Sequence, residues 1–275
     1  MTADAALASA MRRERLIALV AMLLIAALAW TWLAREAARM AGMDMPGMAD
    51  VRMNHLQMMS PALAAWSTPL ALYLFGMWFV MMVGMMVPSA APMVLLYLGV
   101  ARQAERGGKR FASAAWFLLG YLLAWGAFSM GATLAHWALE SAAMMTPAMS
   151  TANRATGAIV LIAAGIYQWL PVKDSCLTHC RAPLSFIQQH GGFQSSPGGA
   201  MRLGLRHGLY CVGCCWALML VLFAVGVMNL LWIAMLMCVV LAEKLVPGGR
   251  WIARIVGVVA TAAGLALLLH GDMAT

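Results

Sequence analysis

Three cysteines within one turn of an apolar segment carry the strongest chemical signal in the sequence. They are Cys211, Cys214 and Cys215, in the stretch GLYCVGCCW. Residues three and four apart share one face of a helix, and Met219 extends this face by a further turn. An isolated cysteine in a membrane segment is usually a small apolar side chain, but packing alone rarely needs three together. The pattern therefore predicts a soft-metal site or a redox centre.

The other cysteines differ in their surroundings. Cys176 and Cys180 stand in the connecting stretch CLTHC, where they could add two thiolates to the same site. Cys238 lies alone in a later apolar segment and is interpreted as an apolar side chain.

Methionine supplies a second set of soft ligands, with 26 residues in the chain. Four of them, Met40, Met43, Met45 and Met48, stand in the stretch MAGMDMPGM, whose glycines and proline argue against a helix. Thioethers are uncharged soft ligands that select Cu(I), and they keep this property where thiols would form disulfides. The stretch predicts a copper-capturing loop. The alternative is an apolar loop resting on the membrane surface.

A ladder of methionines precedes a proline in the next apolar segment. Its members share two neighbouring helical stripes and are Met77, Met81, Met82, Met85 and Met86. Pro88 frees the carbonyl near Gly84, and broken helices in membranes often line a site. The ladder predicts a copper path, and ordinary gap-filling by methionine is the alternative. Whether Pro88 kinks the helix or splits it stays open.

Few charged or titratable residues fall within apolar segments, and those few are functional candidates. Glu243 and Lys244 close the sixth apolar segment, where Glu243 binds a cation or accepts a proton, or the two snorkel to the surface as a pair. His136 and Glu140 stand one turn apart at the end of the third, as a hand-off site or an interfacial ion pair.

The elements that must position these residues are membrane helices. The chain of 275 residues is 64% hydrophobic and only 10% charged, which does not suit a water-soluble surface. Apolar stretches near the length of a bilayer crossing occupy 16–34, 69–100, 111–139, 155–172, 207–228, 230–246 and 251–270. The predicted fold is an all-α polytopic transmembrane helix bundle of about seven spans.

The basic residues set the predicted orientation, because they accumulate on the inner side of a membrane. Placing the N-terminus inside and the C-terminus outside leaves only Arg35, Arg39, Arg52 and Arg154 on the outer side. This topology explains the net charge of +8 without nucleic acid. It divides the chain into an anchor helix (1–34), an extracytoplasmic methionine-rich loop (35–68) and a metal-binding transmembrane domain (69–270). The first span is longer than the core of a cleaved signal peptide, which is its alternative.

Several stretches carry a resemblance to a known family. They are GLYCVGCCWALM, EKLVP, MMVGMMVPS and CLTHCRAP. Together they resemble the bacterial family of predicted metal-binding integral membrane proteins, formerly a domain of unknown function, over roughly 69–268. The resemblance implies a multi-pass protein of the bacterial inner membrane that handles a metal ion.

These observations predict a protein that binds and translocates or delivers Cu(I). Copper would pass from the methionine-rich loop along the ladder to the cysteines. Zinc would suit the thiolates but not the methionines. No nucleotide-binding GxxxxGK[ST] stretch is present, so ATP-driven pumping by this chain is not expected. A metallochaperone or an oxidase would be the partner.

Two alternatives belong to other functional classes. One is a membrane thiol–disulfide oxidoreductase that exchanges electrons between Cys211–Cys214 and Cys176–Cys180. It leaves the methionines unexplained. The other is a non-catalytic factor that delivers metal to a membrane oxidase.

Overall fold

The computed structural model describes residues 3–42, 67–106, 112–145, 149–151, 153–192 and 194–269. These residues form helices, with one isolated bridge between Met145 and Thr151. In chain order the helices are α1 (Ala3–Gly42), α2 (Thr68–Arg106), α3 (Ala114–Ser141), α4 (Arg154–Tyr167), α5 (Pro171–Arg181), α6 (Pro183–Gln189), α7 (Pro197–Val225), α8 (Leu230–Leu245) and α9 (Gly249–Leu269). The all-helical prediction is confirmed for this part of the chain.

Five helices are long and apolar enough to cross a bilayer: α1, α2, α3, α7 and α9. A sixth span results if α4 and α5, which meet at 64°, count as one broken span. The predicted span 230–246 corresponds to α8, which has 16 residues and is shorter than the roughly 20 residues of a typical crossing. The described helices therefore supply five or six candidate spans, and the predicted seven are not confirmed.

The predicted fourth span, 155–172, breaks where its sequence changes character. Helix α4 ends at Tyr167, and a turn follows in which the Leu170 amide donates to the Tyr167 carbonyl. Pro171 then begins α5, because it has no amide hydrogen to continue the previous helix. The chain turns here, and the stretch with Cys176 and Cys180 becomes a helix that packs against α7.

Helix α1 continues beyond the predicted end of the anchor. It ends at Gly42, so Met40 lies in its last turn and the predicted loop 35–68 begins as helix. Glu36 in this extension accepts a hydrogen bond from the Tyr73 hydroxyl (2.7 Å), which joins α1 to α2. It also accepts one from Arg39 of its own helix (3.2 Å). Met43, Met45 and Met48 lie outside the described residues.

The ladder helix α2 is not split. It runs unbroken through Pro88 and Pro92, so both prolines lie within one helix of 39 residues.

Helix α7 occupies the centre and packs against α3, α4, α5 and α8. Its closest approach is to α3, where glycines from both helices face backbone. A Cβ at Gly120 would overlap the carbonyl oxygen of Met201, and one at Gly204 would overlap that of Phe117. Small residues allow such backbone contact between membrane helices. Because α7 carries Cys211 and α3 carries Tyr121, this seam sets the distance between two residues of the site described below.

Replacing Gly204 with Ala should destabilise the bundle by about 1–3 kcal/mol, because the added methyl must push α3 and α7 apart. The matched control is Gly131→Ala on α3, where a Cβ meets nothing within 4 Å. The measurement is the thermal unfolding midpoint in detergent. We expect a lower midpoint for Gly204→Ala and an equal or higher one for the control. Equal midpoints in both variants would show that the seam does not limit packing.

Candidate metal centre

A lysine in the apolar core organises the site. The Lys244 ammonium donates hydrogen bonds to the Cys211 sulfur at 2.8 Å and to the Ser89 hydroxyl at 3.1 Å. Lys244 is buried, and burying an ammonium is costly unless the charge is paired and hydrogen-bonded. A nearby cation favours the thiolate form of a cysteine, which is the form that binds metal. Three helices, α2, α7 and α8, therefore meet at one charged contact.

Tyr121 of α3 completes the surroundings of Cys211. Its hydroxyl donates to the Met86 carbonyl (3.0 Å) and lies 3.0 Å from the Cys211 sulfur. The Ser89 hydroxyl donates to the same carbonyl at 2.9 Å. Ser89 and Tyr121 thus tie the end of the methionine ladder to the cysteine helix. Sequence reasoning missed Tyr121, because one tyrosine in an apolar segment gives no spacing signal.

The structure gathers five of the six cysteines. Cys214 and Cys215 are buried on the same face as Cys211, and their thiols donate to its carbonyl at 3.1 and 2.9 Å. From α5, Cys176 and Cys180 pack against the core that contains these three cysteines.

Gly213 makes room for Cys176. A Cβ at Gly213 would lie 2.9 Å from the Cys176 sulfur, so the glycine of GLYCVGCCW lets that sulfur sit against α7. Cys238 of α8 is exposed and does not belong to this group of cysteines.

The predicted methionines of α2 lie in the same core as these cysteines. The side chains that are fully buried in this core are Met77, Met81, Met82, Met85, Met86 and, from α7, Met219. The core around Cys211 therefore contains both thiols and thioethers. Within the described residues, no three His, Cys, Asp or Glu side chains form a group that could hold a metal ion. A site with three or more ligands in this core would therefore have to include methionine sulfur.

A buried ion pair holds α5 against α8. The Lys173 ammonium donates to both carboxylate oxygens of Glu243, at 2.9 and 2.8 Å, and also to Gln168. Arg181 donates to the carbonyls of Glu243 (3.2 Å) and Val246 (2.9 Å). These contacts fix both ends of the helix that carries Cys176 and Cys180.

Neither member of the Glu243–Lys244 pair snorkels to the surface, as one interpretation of the sequence had it. Glu243 pairs with Lys173 and Lys244 with Cys211. Two lysines that the sequence analysis counted among the basic residues of inner segments, Lys173 and Lys244, are thus core residues.

His136 lies at the other end of the bundle. It is buried against the ring of Phe223, at a centroid distance of 6.1 Å, and its Nδ1 atom has no hydrogen-bond partner among the described residues. Phe223 also packs on Trp78, which neighbours Met77 at the start of the ladder. His136 is therefore close to the ladder but remote from the cysteines.

Breaking the ion pair should destabilise the protein strongly. Lys173→Met leaves the Glu243 carboxylate buried without its partner, at a cost of about 3–5 kcal/mol. The double variant Lys173→Met/Glu243→Met removes both charges and should recover part of that loss. Unfolding midpoints in detergent measure both effects, with Asp174→Asn as a neighbouring control. A double variant no more stable than the single one would contradict the pairing.

Removing the Lys244 ammonium should slow alkylation of Cys211. Lys244→Met takes away the charge that stabilises the thiolate, which is the nucleophile. The rate is measured by mass spectrometry of the Cys211 peptide after a timed reaction with iodoacetamide, a reagent small enough to enter the core, in detergent samples that contain only folded protein. Cys238 in the same molecule serves as the internal control, because it is exposed and the Lys244 ammonium donates to Cys211 and Ser89 instead. An unchanged ratio of the two rates would refute the role given to Lys244.

Comparison with known proteins adds one match. A family model described as PpoB2, copper chaperone, matches residues 75–267, which include the ladder, all six cysteines and Lys244. No curated protein and no solved structure matches the chain.

Proposed function

We propose that this chain, which belongs to the PpoB2 copper chaperone family, binds Cu(I) in its helical core and delivers it to a partner protein. One observation carries the proposal. The buried methionines of α2 and the buried cysteines of α7 belong to one continuous core, with Lys244 and Tyr121 at their junction. A copper-related role follows from the family. The location of the ion among these residues is our inference.

The chemistry of the ligands supports copper in its reduced state. Thiolates and thioethers are soft ligands, and soft ligands select Cu(I) over hard cations. Glu243, the residue before Lys244, has a hard carboxylate, but this carboxylate is paired with the Lys173 ammonium. Zinc would find thiolates here, but it would make no use of the buried methionines.

Lys244 has a defined part in this proposal. Before copper arrives, its ammonium balances the charge of the Cys211 thiolate. When Cu(I) binds to two or more sulfurs, the remaining thiols lose their protons, so loading should release protons. The ion then supplies the positive charge next to the sulfurs, and Lys244 keeps its hydrogen bond to Ser89.

The proposed path begins at Met40, Met43, Met45 and Met48, continues along the α2 ladder and ends at the cysteines. Thiolates bind Cu(I) more strongly than thioethers do, which favours this direction. We place the chain in the bacterial inner membrane with its N-terminus inside, its C-terminus outside and seven spans, α4 and α8 being the short ones. In this proposal the chain is not an enzyme, and the recipient is a metallochaperone or an oxidase.

Copper retention tests the proposal directly. Protein purified in detergent is reduced, loaded without oxygen with Cu(I) or Zn(II), desalted and analysed for metal by mass spectrometry. Wild type should retain copper, and Cys211→Ser/Cys214→Ser/Cys215→Ser should lose most of it. A ladder variant with Met81, Met82, Met85 and Met86 changed to Leu should retain less copper than wild type but bind zinc equally.

Two matched controls separate ligand loss from misfolding. Cys238→Ser changes an exposed cysteine, and Met130→Leu changes an exposed methionine on α3. Both should retain copper as wild type does. If wild type holds no more copper than the triple-serine variant, the copper proposal fails and the thiol–disulfide exchange hypothesis takes its place.

A further inference from the structure

Two histidines that the proposed copper path does not use lie beside the cysteines. His179 belongs to α5, and His190 directly follows α6. The centres of their imidazole rings are 6.2 Å apart, although the residues are separated by a helix end and a second helix. Both side chains are partly exposed, unlike the cysteines of α7.

Both imidazoles are held in the same way. The Nδ1 atom of His179 lies 2.8 Å from the Ser175 carbonyl, and that of His190 lies 2.8 Å from the Phe186 carbonyl. A carbonyl oxygen only accepts, so Nδ1 must carry the hydrogen in each ring. In the neutral imidazole this leaves the lone pair on Nε2. A hydrogen bond from one ring nitrogen to a backbone carbonyl is the usual support for a histidine that binds metal through the other.

Aromatic stacking fixes the planes of the two rings. His179 stacks on Tyr210 with centroids 4.3 Å apart, and His190 stacks on Phe186 at the same distance. The two imidazoles themselves stand at 75° to each other. Stacking occupies ring faces, whereas a metal ion binds in the ring plane, so both contacts can exist together.

The spacing suits one shared ion. With metal–nitrogen distances of about 2 Å, two imidazoles on opposite sides of an ion have ring centres roughly 6 Å apart. Imidazole is a good ligand for copper. Two protein ligands also leave coordination positions open, which a partner's ligand could fill during transfer.

The pair is connected to the cysteine site by sequence and by contact. Cys180, which packs against the core that contains Cys211 and Cys214, is the residue after His179. Tyr210, on which His179 stacks, is the residue before Cys211. An ion that leaves the buried sulfurs toward α5 and α6 therefore reaches the two histidines next.

We propose that His179 and His190 form a copper exchange site, where Cu(I) released by the cysteines is held by two imidazoles and passed to a partner. This inference rests on the function proposed above. It adds a second site with nitrogen ligands at the partly exposed surface of α5 and α6, and it leaves the copper in one oxidation state throughout.

A footprint on the wild-type protein tests the site without any substitution. Detergent-purified protein, with Cu(I) in excess of its cysteines and without oxygen, is treated with diethyl pyrocarbonate and digested. Modification of His179 and His190 is then compared with that in metal-free protein by mass spectrometry. Copper should suppress modification of both histidines. Equal modification with and without copper would overturn the proposal.

A second arm uses variants and separates this inference from the one it rests on. His179→Ala/His190→Ala is combined with the triple-serine variant, and Gln189→Ala, an exposed neighbour, is the matched control. The smaller amount of copper that stays on the triple-serine protein should show a nitrogen signature in X-ray absorption, and the two histidine substitutions should abolish that signature while Gln189→Ala preserves it. A signature that survives both histidine substitutions, or is absent before them, refutes the exchange site. Failure of the proposed function is measured separately, as equal copper in wild type and triple-serine protein.

Discussion

A buried ammonium sets the main constraint on this structure. Lys244 lies in a core of apolar side chains, where a charge is tolerated only with partners. Its partners come from different helices, Ser89 from α2 and Cys211 from α7. The Nζ atom of Lys244 therefore fixes the position of α8 along both helices. The methionine ladder, which ends at Met86, and the cysteine face of α7 are brought together by the same contact.

Glu243, the residue before Lys244, pairs its negative charge with a different residue, Lys173. Glu243 and Lys244 are adjacent on α8, yet each has a partner on a different side of the helix. The carboxylate binds Lys173 and so holds α5 in place, while the ammonium faces the sulfurs. The hard carboxylate oxygens of Glu243 are thereby kept on a different side of α8 from the soft sulfurs that Lys244 faces. A site from which the carboxylate is withdrawn suits Cu(I) better than it suits a hard cation.

Backbone packing determines how closely these groups approach. The glycines between α3 and α7 allow Tyr121 to reach both the Met86 carbonyl and the Cys211 sulfur. Gly213 has a similar part on the opposite face, where it admits the sulfur of Cys176. The break before Pro171 turns α5 back against α7, and the second break at Pro183, between α5 and α6, brings His179 near His190. Helix α5 therefore carries both Cys176 and Cys180, which pack on the core, and the partly exposed His179.

The sequence by itself determined the helical class, the multi-pass character and which soft side chains share a helix face, because each depends on composition or on spacing within one helix. Cys211, Cys214 and Cys215 share a face by helical geometry alone, and the methionines of α2 do so for the same reason. The number of spans and the fate of the charged residues depended on the tertiary structure. Residues 155–172 were predicted as one apolar crossing, but α4 ends at Tyr167 and Pro171 begins a new helix. For Glu243 and Lys244 the sequence left a functional role and a surface pair open, and each has a buried partner far away in the chain. Pairings such as Lys244 with Ser89 or Lys173 with Glu243 join residues that have no periodic relation. Only the packing of one helix against another decides them.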